Sequence, residues 1–406
     1  MPRTPNVLPA GVRIADNLAL AQLHRVFPLH VVKDSLDRAQ KATIRTRELP
    51  NELMTYYPLL LCMYRNASQQ EVLRVMADGL AWLFGMKEFK ITGKSGISQA
   101  RARVGSQPLI DVFDCCAKPL AKPGAKGCFY RGFRLVAIDG SDLDLEDCPE
   151  ISDYFGKAKN QHGEGSSPKA RLVGLIEVGT RAAFAISIGK NKASEIALAK
   201  DIIPKLESGM LCLADRVFMS WKIFDQAQKA GAQLLFRARK DRYLPIEKRL
   251  VDGTFESTIY ASDDRKREKG IKVRVVEYDV EIESKGRKTR HDYRLITTLL
   301  DAEMYPLNEL ADVYRERWEF ETMLDEMKTH LMDSQTLRSR TKDLVIQEIY
   351  GMVMAHYAIR AVMYEAAHPK DIDPDELSFT HSRNVVERNL PKFGAFPPST
   401  LVPAHV

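Results

Sequence analysis

The stretch from Val313 to Leu331 constrains the fold most, because its polar and apolar side chains both follow the period of a helix. Four polar residues recur at offsets of three, seven and fourteen positions from the first of them: Tyr314, Arg317, Glu321 and Lys328. At about 100° per residue they fall within roughly a 60° arc. A neighbouring arc is apolar: Val313, Phe320, Met323, Leu324, Met327 and Leu331. The pattern predicts one amphipathic helix with a polar stripe beside its buried face.

The polar stripe has two interpretations. Arg and Lys grip phosphate oxygens and a carboxylate can hold a divalent cation, so the stripe suits a phosphodiester backbone. The alternative is a solvated face with spaced ion pairs. Three further glutamates lie elsewhere on the helical wheel and are interpreted as such a solvated face: Glu316, Glu319 and Glu326. On its own, the stripe leaves both interpretations open.

The spacing of the four polar residues resembles the Y-R-E-K signature of the bacterial insertion-sequence transposases of the DDE type, the insertion-sequence-four family. All four positions match at the family spacing. The resemblance implies that Glu321 is the last carboxylate of an Asp, Asp, Glu triad. It also implies two upstream aspartates at strand ends and a helical N-terminal domain that reads the ends of the element.

Two aspartates meet this demand. The apolar run 134–138 leads directly into Asp139, and the run 210–214 leads into Asp215. Both segments resemble the first and second catalytic blocks of the family. A single aspartate at the end of a strand is more often a turn former or a helix cap. Three carboxylates in the family order, together with the helix signature, favour a shared site.

Two other aspartates, Asp142 and Asp144, are near rivals of Asp139. Asp139 is preferred because it directly follows the apolar run, at the carboxyl end of the strand where α/β proteins collect their ligands. The strand is expected to stop there, since Gly140 and Ser141 follow.

Three carboxylates suit in-line displacement at phosphorus, in which two divalent metals about 4 Å apart activate the attacking oxygen and neutralise the leaving one. The predicted cofactor is therefore Mg²⁺, or Mn²⁺, as two ions held by Asp139, Asp215 and Glu321. Arg317 and Lys328 are predicted to clamp DNA backbone phosphates. Tyr314 would hydrogen-bond a phosphate or pack against the DNA end.

The cysteines and the apolar content bound the remaining possibilities. Six cysteines show neither Cys-x-x-Cys pairing nor zinc spacing: Cys62, Cys115, Cys116, Cys128, Cys148 and Cys212. This usage is typical of a reduced, cytosolic protein. At 406 residues, 45% hydrophobic, with a net charge of +6, the chain should form two or three domains. The apolar patch from Tyr56 to Tyr64 is too short to span a bilayer. We expect a cytoplasmic, nucleoid-associated protein with no membrane partner.

The first third of the sequence predicts helices. Ser68 and Glu71 form a capping box, and a second helix should follow Ser98 and stop at Gly105. That second helix carries three residues that could reach a DNA groove: Gln99, Arg101 and Arg103. A structural helix with solvated arginines is the alternative.

Between residues 126 and 237 three predicted strands come in succession and are followed by alternating helix and strand. The pattern alone indicates an α/β fold, and the resemblance specifies a ribonuclease-H-like catalytic core. A loop rich in Gly and Ser is expected from Lys157 to Pro168. The predicted domains are a helical N-terminal DNA-end-binding domain (1–125), the first part of the core (126–237) and a β-rich insertion (238–305). The second part of the core (306–367) holds the Glu helix and a covering helix predicted from about Lys342 to Ala367. A C-terminal tail (368–406) follows, partly ordered at best.

The predicted β-rich insertion is basic, and its face could track a DNA strand; a solvated sheet edge protected by charge is the alternative. Its cationic residues are Arg265, Lys266, Arg267, Lys272, Arg274, Lys285, Arg287 and Lys288. Hairpin-forming members of the family place a Trp in this insertion, and this sequence has none there. Three tyrosines could stack on a base instead: Tyr260, Tyr278 and Tyr293. Trp318, inside the signature helix, is expected to be a core or supporting residue.

The resemblance and the residue pattern together predict a transposase that binds the terminal inverted repeats of its own element. It would cut and join double-stranded DNA by metal-dependent strand cleavage and strand transfer, as a homodimer in the synaptic complex. Two alternatives stay open: a ribonuclease-H-like nuclease without strand joining, and a domesticated descendant that only binds DNA.

Overall fold

The protein is described here from a computed structural model that covers residues 22–43, 49–80, 91–160, 163–284 and 287–389. It is an α/β protein with a group of helices before a large mixed sheet. The first helices are α1 (Gln22–Val26), α2 (Leu29–Arg38), α3 (Asn51–Met63), α4 (Gln69–Leu80), α5 (Lys94–Val104) and α6 (Gln107–Cys116). No helix in these ranges is long and apolar enough to cross a membrane.

The capping signals of the sequence set the bounds of two of these helices. The backbone N–H of Glu71 donates to Ser68 Oγ at 3.1 Å, which caps α4 as predicted. Helix α5 ends at Gly105, whose φ of 73° an L-residue rarely adopts. It starts one turn earlier than expected, at Lys94.

The central segment supplies strands and the helices that flank them. The strands are β1 (Phe129–Tyr130), β2 (Phe133–Asp144), β3 (Lys157–Asn160), β4 (Gly163–Glu177), β5 (Ala182–Lys190), β6 (Met210–Ala214) and β7 (Gln233–Arg237). The helices are α7 (Pro149–Phe155), α8 (Glu195–Ile202) and α9 (Trp221–Lys229). The expected loop from Lys157 to Pro168 is wrong, because β3 and the start of β4 pair across it as a hairpin.

Strand order places the core of the sheet as the ribonuclease-H-like prediction requires. β5, β4, β2, β6 and β7 are neighbours in that order. β2, β6 and β7 are parallel, whereas β4 is antiparallel to both β2 and β5. The carboxyl ends of β2 and β6 therefore meet at one edge of the sheet.

The basic segment after β7 continues the same sheet. Its strands are β8 (Lys248–Arg249), β9 (Phe255–Ile259), β10 (Ile271–Ser284) and β11 (Arg287–Thr297). β11 pairs antiparallel with β7, and β10, β9 and β8 follow outward. The segment is β-rich as predicted, and it lengthens the catalytic sheet.

The signature helix is broken into segments of different pitch. It runs as α10 (Leu307–Arg315), a 3₁₀ turn (Glu316–Trp318), α11 (Glu319–Asp325) and a π turn (Glu326–Leu331). The predicted apolar face is correct, since Phe320, Met323 and Met327 are buried. One straight α-helix is wrong, so the polar stripe does not stay in line.

Helix α12 (Lys342–Ala367) has the bounds that the sequence predicted and is buried along nearly all of its length. It packs against α3 and β5, which joins the N-terminal helices to the sheet. The segment predicted as a tail contains α13 (Phe379–Asn389), which packs on α12 through Phe379. Residues 390–406 of the predicted tail lie outside the described residues.

Candidate active site

Two predicted catalytic aspartates lie at the same level of the sheet. The parallel pairing of β2 with β6 ends at Ile138 opposite Ala214, so Asp139 and Asp215 are the next residue on each strand. The expectation that β2 stops at Asp139 is wrong. It continues to Asp144, because β4 still pairs with it on the other side.

Arg317 joins two of the three predicted carboxylates. Its Nη1 donates to Asp139 Oδ2 at 2.7 Å, and its Nη2 donates to Glu321 Oε1 at 3.4 Å. The Arg317 side chain is 9% exposed, whereas that of Glu321 is 35% exposed. The 3₁₀ turn and α11 therefore carry Arg317 and Glu321 to the edge where Asp139 lies.

Asp139 has a carboxyl group that resists ionisation. Burial raises the pKa of Asp139 to about 6, and the negative charges of Asp215 and Glu321 act in the same direction. A hydrogen bond from the Gly140 N–H and the Arg317 guanidinium oppose this rise. Asp215 and Glu321 are thus close enough to raise the cost of ionising Asp139, as expected for a site that gathers negative charge.

Asp215 carries an oxygen that the protein does not satisfy. Its Oδ1 is buried without a hydrogen-bond partner among the described residues. A buried carboxylate oxygen normally has a partner, and a hard cation such as Mg²⁺ prefers this type of ligand. In the described ranges no group of three or more His, Cys, Asp or Glu is arranged to hold a metal ion, and Arg317 is bonded to two of the carboxylates. The carboxylate oxygens of Asp139, Asp215 and Glu321 are of the type that binds a divalent cation, but in this arrangement they do not form a complete coordination sphere.

Lys328 docks on the strand that carries Asp139. Its Nζ donates to Ser141 Oγ at 2.6 Å and to the Asp142 carbonyl at 2.8 Å. Burial lowers the pKa of Lys328. An ammonium has three N–H donors, so one donor is left for a ligand next to Ser141 and Asp142.

The structure directs Tyr314 into the protein, against the prediction that it contacts DNA. The side chain is buried, and its hydroxyl donates to the carbonyl oxygen of Ala214 at 3.3 Å. Ala214 is the residue before Asp215, so Tyr314 supports the end of β6. A helical wheel could not predict the burial of Tyr314, because it does not show which element covers each face of α10.

The two rivals of Asp139 have other partners. Asp142 pairs with Arg171 at 2.9 Å, and Asp144 pairs with Lys169 at 3.1 Å. Both pairs bridge β2 and β4, which suits a structural use of these carboxylates. The preference for Asp139 agrees with this geometry.

Trp318 is not the core residue that the sequence suggested. It is 42% exposed, and its ring lies 5.1 Å from the guanidinium carbon of Arg317. This contact can steady Arg317 through a cation–π interaction, which matches a supporting role.

The basic helix α5 uses its arginines inside the protein. Arg101 is 3% exposed and donates to Gln347, Ser339 and the Leu344 carbonyl. Its predicted reach into a DNA groove is contradicted, because these bonds tie α5 to the start of α12. The same correction applies to Arg103 in this structure.

Arg103 is partly buried and donates to Asn51 Oδ1 at 2.7 Å and to the Leu49 carbonyl at 2.6 Å. Gln99 is exposed on the same helix. Gln99 is thus the one of these three predicted DNA-contacting residues of α5 that is exposed. Its contact with DNA stays a prediction.

The insertion exposes part of its predicted basic face. Arg265, Lys266, Arg267 and Lys272 are exposed. Arg274 is wrongly included in that face, since it is fully buried and donates to the Tyr305 carbonyl at 2.7 Å. Lys285 lies outside the described residues, as do the side chains of Arg287 and Lys288.

Two of the tyrosines proposed to stack on a base are stacked on each other. The rings of Tyr278 and Tyr293 lie 5.4 Å apart at an interplanar angle of 16°. The guanidinium of Arg237 lies over Tyr293. Tyr260 lies beside Arg267 on a different part of the insertion.

A buried charge cluster, which the sequence did not predict, lies behind the signature helix. Glu319 and Glu326, predicted to be solvated, are 5% and 3% exposed, and only Glu316 is exposed as expected. Their partners are Arg181, His356 and Arg360. The signal in the sequence was a histidine and an arginine, His356 and Arg360, on the otherwise apolar surface of α12.

Comparison with known protein families gives two matches along the chain. Residues 17–114 match the family described as insertion element 4 transposase N-terminal, and residues 130–358 match the transposase DDE domain. The second match spans all the predicted triad carboxylates.

Relatives of known sequence include transposase InsG for insertion sequence element IS4 of Escherichia coli K12. It is 28% identical over 367 residues, which cover 89% of this chain and 80% of that protein. The putative transposase InsZ of the same organism is 27% identical over 197 residues, covering 48% of this chain and 62% of that protein. Among solved structures, the chain is similar to the piggyBac transposase synaptic complex with hairpin DNA, with a TM-score of 0.46 and 14% identity over 95% of this chain and 82% of that one.

Proposed function

Since the chain belongs to the insertion element 4 family of DDE transposases, we propose that Asp139, Asp215 and Glu321 carry out its cutting and joining of DNA. The protein is a DNA transposase, a polynucleotidyl transferase that binds DNA and depends on a divalent metal. The observation that carries the residue assignment is the Arg317 guanidinium, which bonds Asp139 and Glu321 beside the unpaired Asp215 Oδ1.

We assign Mg²⁺, or Mn²⁺, as the metal, held by the same three carboxylates. Two such ions supply an activated attacking oxygen and a neutralised leaving oxygen at phosphorus. When all are ionised, the three carboxylates and Arg317 together carry two uncompensated negative charges. This net charge favours the binding of divalent cations. A partly ionised Asp139 fits this role, because cation binding favours the ionised form of the carboxyl group.

The other side chains act on the DNA. Arg317 is bonded to carboxylates that cations would neutralise, so it can turn a planar guanidinium toward a phosphate oxygen of the DNA end. Lys328 keeps one N–H donor for a neighbouring phosphate while it stays docked on Ser141 and Asp142. Tyr314 holds the backbone beside Asp215.

The substrates we propose are the terminal inverted repeats of the element and a target duplex, bound by a homodimer in the cytoplasm at the nucleoid. The exposed Gln99 on α5 and the exposed cations of the insertion support DNA contacts outside the catalytic edge. The transposase matches favour neither a nuclease without joining nor a descendant that only binds DNA.

The test combines cleavage with joining. The wild-type protein, a DNA fragment that ends in the element's repeat, Mg²⁺ and a target plasmid are expected to give nicks at the repeat and covalent joining of its 3′ hydroxyl to the plasmid. Glu321→Gln should bind the repeat and do neither. Nicking without joining by the wild type would favour the nuclease instead.

A further inference from the structure

Glu326 is a buried carboxylate on which three side chains converge. Its Oε2 accepts hydrogen bonds from His356 Nε2 and Arg360 Nε, both at 2.9 Å. Its Oε1 accepts from Arg181 Nη1 at 2.9 Å and from Arg360 Nη2. Each oxygen therefore accepts two bonds, which saturates an ionised carboxylate.

The cluster is balanced in charge. Burial acts to raise the pKa of Glu326, but Arg360, His356 and Arg181 outweigh it and hold that pKa well below its usual range. Burial lowers the pKa of His356, which keeps the ring neutral. Arg181 also pairs with Glu319 and, at 3.8 Å, with the partly exposed Asp375, so the two buried arginines face two buried glutamates. Buried charges of this kind persist when they are paired and hydrogen-bonded.

Three separate parts of the fold meet at this carboxylate. Arg181 comes from the turn between β4 and β5, where its φ of 54° is one that non-glycine residues rarely adopt. His356 and Arg360 come from α12. Glu326 is the first residue of the π turn that ends the signature helix. The cluster thus ties the π turn to both the sheet and its covering helix.

The same π turn carries Lys328, two residues further along. Lys328 leaves the turn on the side of β2, where it bonds Ser141 and the Asp142 carbonyl. A π turn pairs residues five apart and so advances the chain differently from an α turn, and such turns need a local cause. Glu326, whose two oxygens are saturated, is the first residue of this turn.

We propose that Glu326 is a positioning residue, which through Arg181, His356 and Arg360 fixes the π turn and thereby sets Lys328 against Ser141, two residues along β2 from Asp139. The proposal rests on the proposed function only in the role given to Lys328. Glu326 itself is buried, and its hydrogen-bond partners among the described residues, Arg181, His356 and Arg360, all lie outside the predicted triad.

The experiment is a double-mutant cycle of Glu326→Gln and Lys328→Ala in the full chain. Single-turnover cleavage of the repeat DNA in Mg²⁺ is measured per folded molecule, well below the melting temperature of the least stable variant. Glu326→Gln is expected to slow cleavage by about tenfold or more, in the range seen for residues that orient catalytic groups. In the Lys328→Ala background the same change should cost less than about threefold, because the group being positioned is gone.

Glu348→Gln is the matched control. Glu348 is also a fully buried carboxylate, about two helical turns before His356 on α12. It pairs with Arg65 at 3.0 Å, and within the described part of the chain it makes no hydrogen bond or ion pair with residues 326–331. Its loss should lower stability while leaving cleavage per folded molecule near wild type. If Glu326→Gln does not fold, Glu326→Asp takes its place, since it keeps the charge and withdraws it by one methylene.

Hydrogen exchange gives a readout that does not need activity. Amides of residues 327–332 should exchange faster in Glu326→Gln, with or without Lys328, and those of α10 should not. Equal losses of cleavage in both backgrounds, or unchanged exchange in 327–332, would overturn the proposal. Wild-type cleavage by Lys328→Ala alone would instead overturn the role of Lys328 in the proposed function.

Discussion

The signature helix carries two carboxylate clusters that differ in how completely they are satisfied. Glu326, at the start of the π turn, accepts four hydrogen bonds and is 3% exposed. Glu321, five residues earlier, has one long contact to Arg317 and a side chain that is 35% exposed, and nearby Asp215 has an unpaired oxygen. A saturated cluster can only hold structure, whereas an unsaturated one keeps ligand capacity for chemistry.

The same difference explains why charge alone did not separate the two clusters in the sequence. Both clusters combine glutamate with arginine, but only Arg317 and Glu321 lie at helical spacing from each other. What separates them is the number of partners that other elements bring, since an unpaired buried oxygen costs free energy unless a ligand uses it. Matched substitutions on this one helix therefore test the distinction directly.

The largest effect is expected from Glu321→Gln. Metal-assisted charge stabilisation supplies several kcal/mol, and each 1.4 kcal/mol is tenfold in rate, so cleavage should fall by more than about a thousandfold. The free energy of unfolding should change by less than about 1 kcal/mol, because the Arg317 contact is half-exposed. Single-turnover cleavage, with binding to the repeat measured by gel shift, checks both. Cleavage near the wild-type rate would remove Glu321 from the site.

Glu326→Gln should lower the free energy of unfolding far more than Glu321→Gln does. Removing the charge leaves Arg181 and Arg360 buried without their carboxylate, and breaking such a pair costs about 3–5 kcal/mol. Chemical denaturation of both Gln variants under identical conditions measures the difference. Equal stabilities for Glu321→Gln and Glu326→Gln would break the comparison between the clusters.

Arg101→Ala extends the comparison to the N-terminal helices. Its bonds to Gln347, Ser339 and the Leu344 carbonyl are buried, so its loss should cost about 2–4 kcal/mol of stability. Affinity for the repeat DNA, measured on the folded protein, should stay unchanged. Gln99→Ala is the control on the exposed side of α5, with the opposite expectation. A loss of affinity without a loss of stability in Arg101→Ala would restore its predicted DNA contact.

The smallest effect is expected at Asp373, a partly buried carboxyl group that accepts one hydrogen bond from the Asp375 N–H. Burial, together with the charge of Asp375, raises the pKa of Asp373 to about 7. Because the folded pKa lies above that of the unfolded chain, ionisation destabilises the fold progressively as the pH rises from about 4 to about 7.

Asp373→Asn removes this penalty and keeps the oxygen that accepts from the Asp375 N–H. The gain in unfolding free energy should be larger at pH 8 than at pH 5. It should amount to about 1 kcal/mol or less, since the group is partly exposed and solvent screens its charge. Thermal melts of wild type and variant at the two pH values measure it. A gain that is the same at both pH values would assign the effect to something other than ionisation.

Much of the fold could be predicted from the sequence because its signals are local. The Ser68 capping box, the Gly105 stop and the bounds of α12 depend on neighbouring residues and were confirmed. The runs before Asp139 and Asp215 predicted two strands, and the structure pairs these strands in parallel. The β3–β4 hairpin was missed because its Gly and Ser content is also typical of loops.

The site was predictable in outline and not in its contacts. The spacing of Arg317 and Glu321 predicted that they share a face, and the structure brings both to Asp139. The burial of Tyr314 and Arg101 was not predictable, because a helical wheel gives the faces of one helix and says nothing of what covers them.

By itself, the sequence determined the apolar face of the signature helix, which aspartates follow buried strands, and the family to which the chain belongs. The tertiary structure alone decided which polar groups are satisfied. Arg181 and Arg360 reach Glu326 from elements far away in the chain, and their arrival turns a predicted solvated residue into a buried anchor. Partner geometry in a close-packed interior depends on the whole fold, whereas periodicity depends only on the local chain.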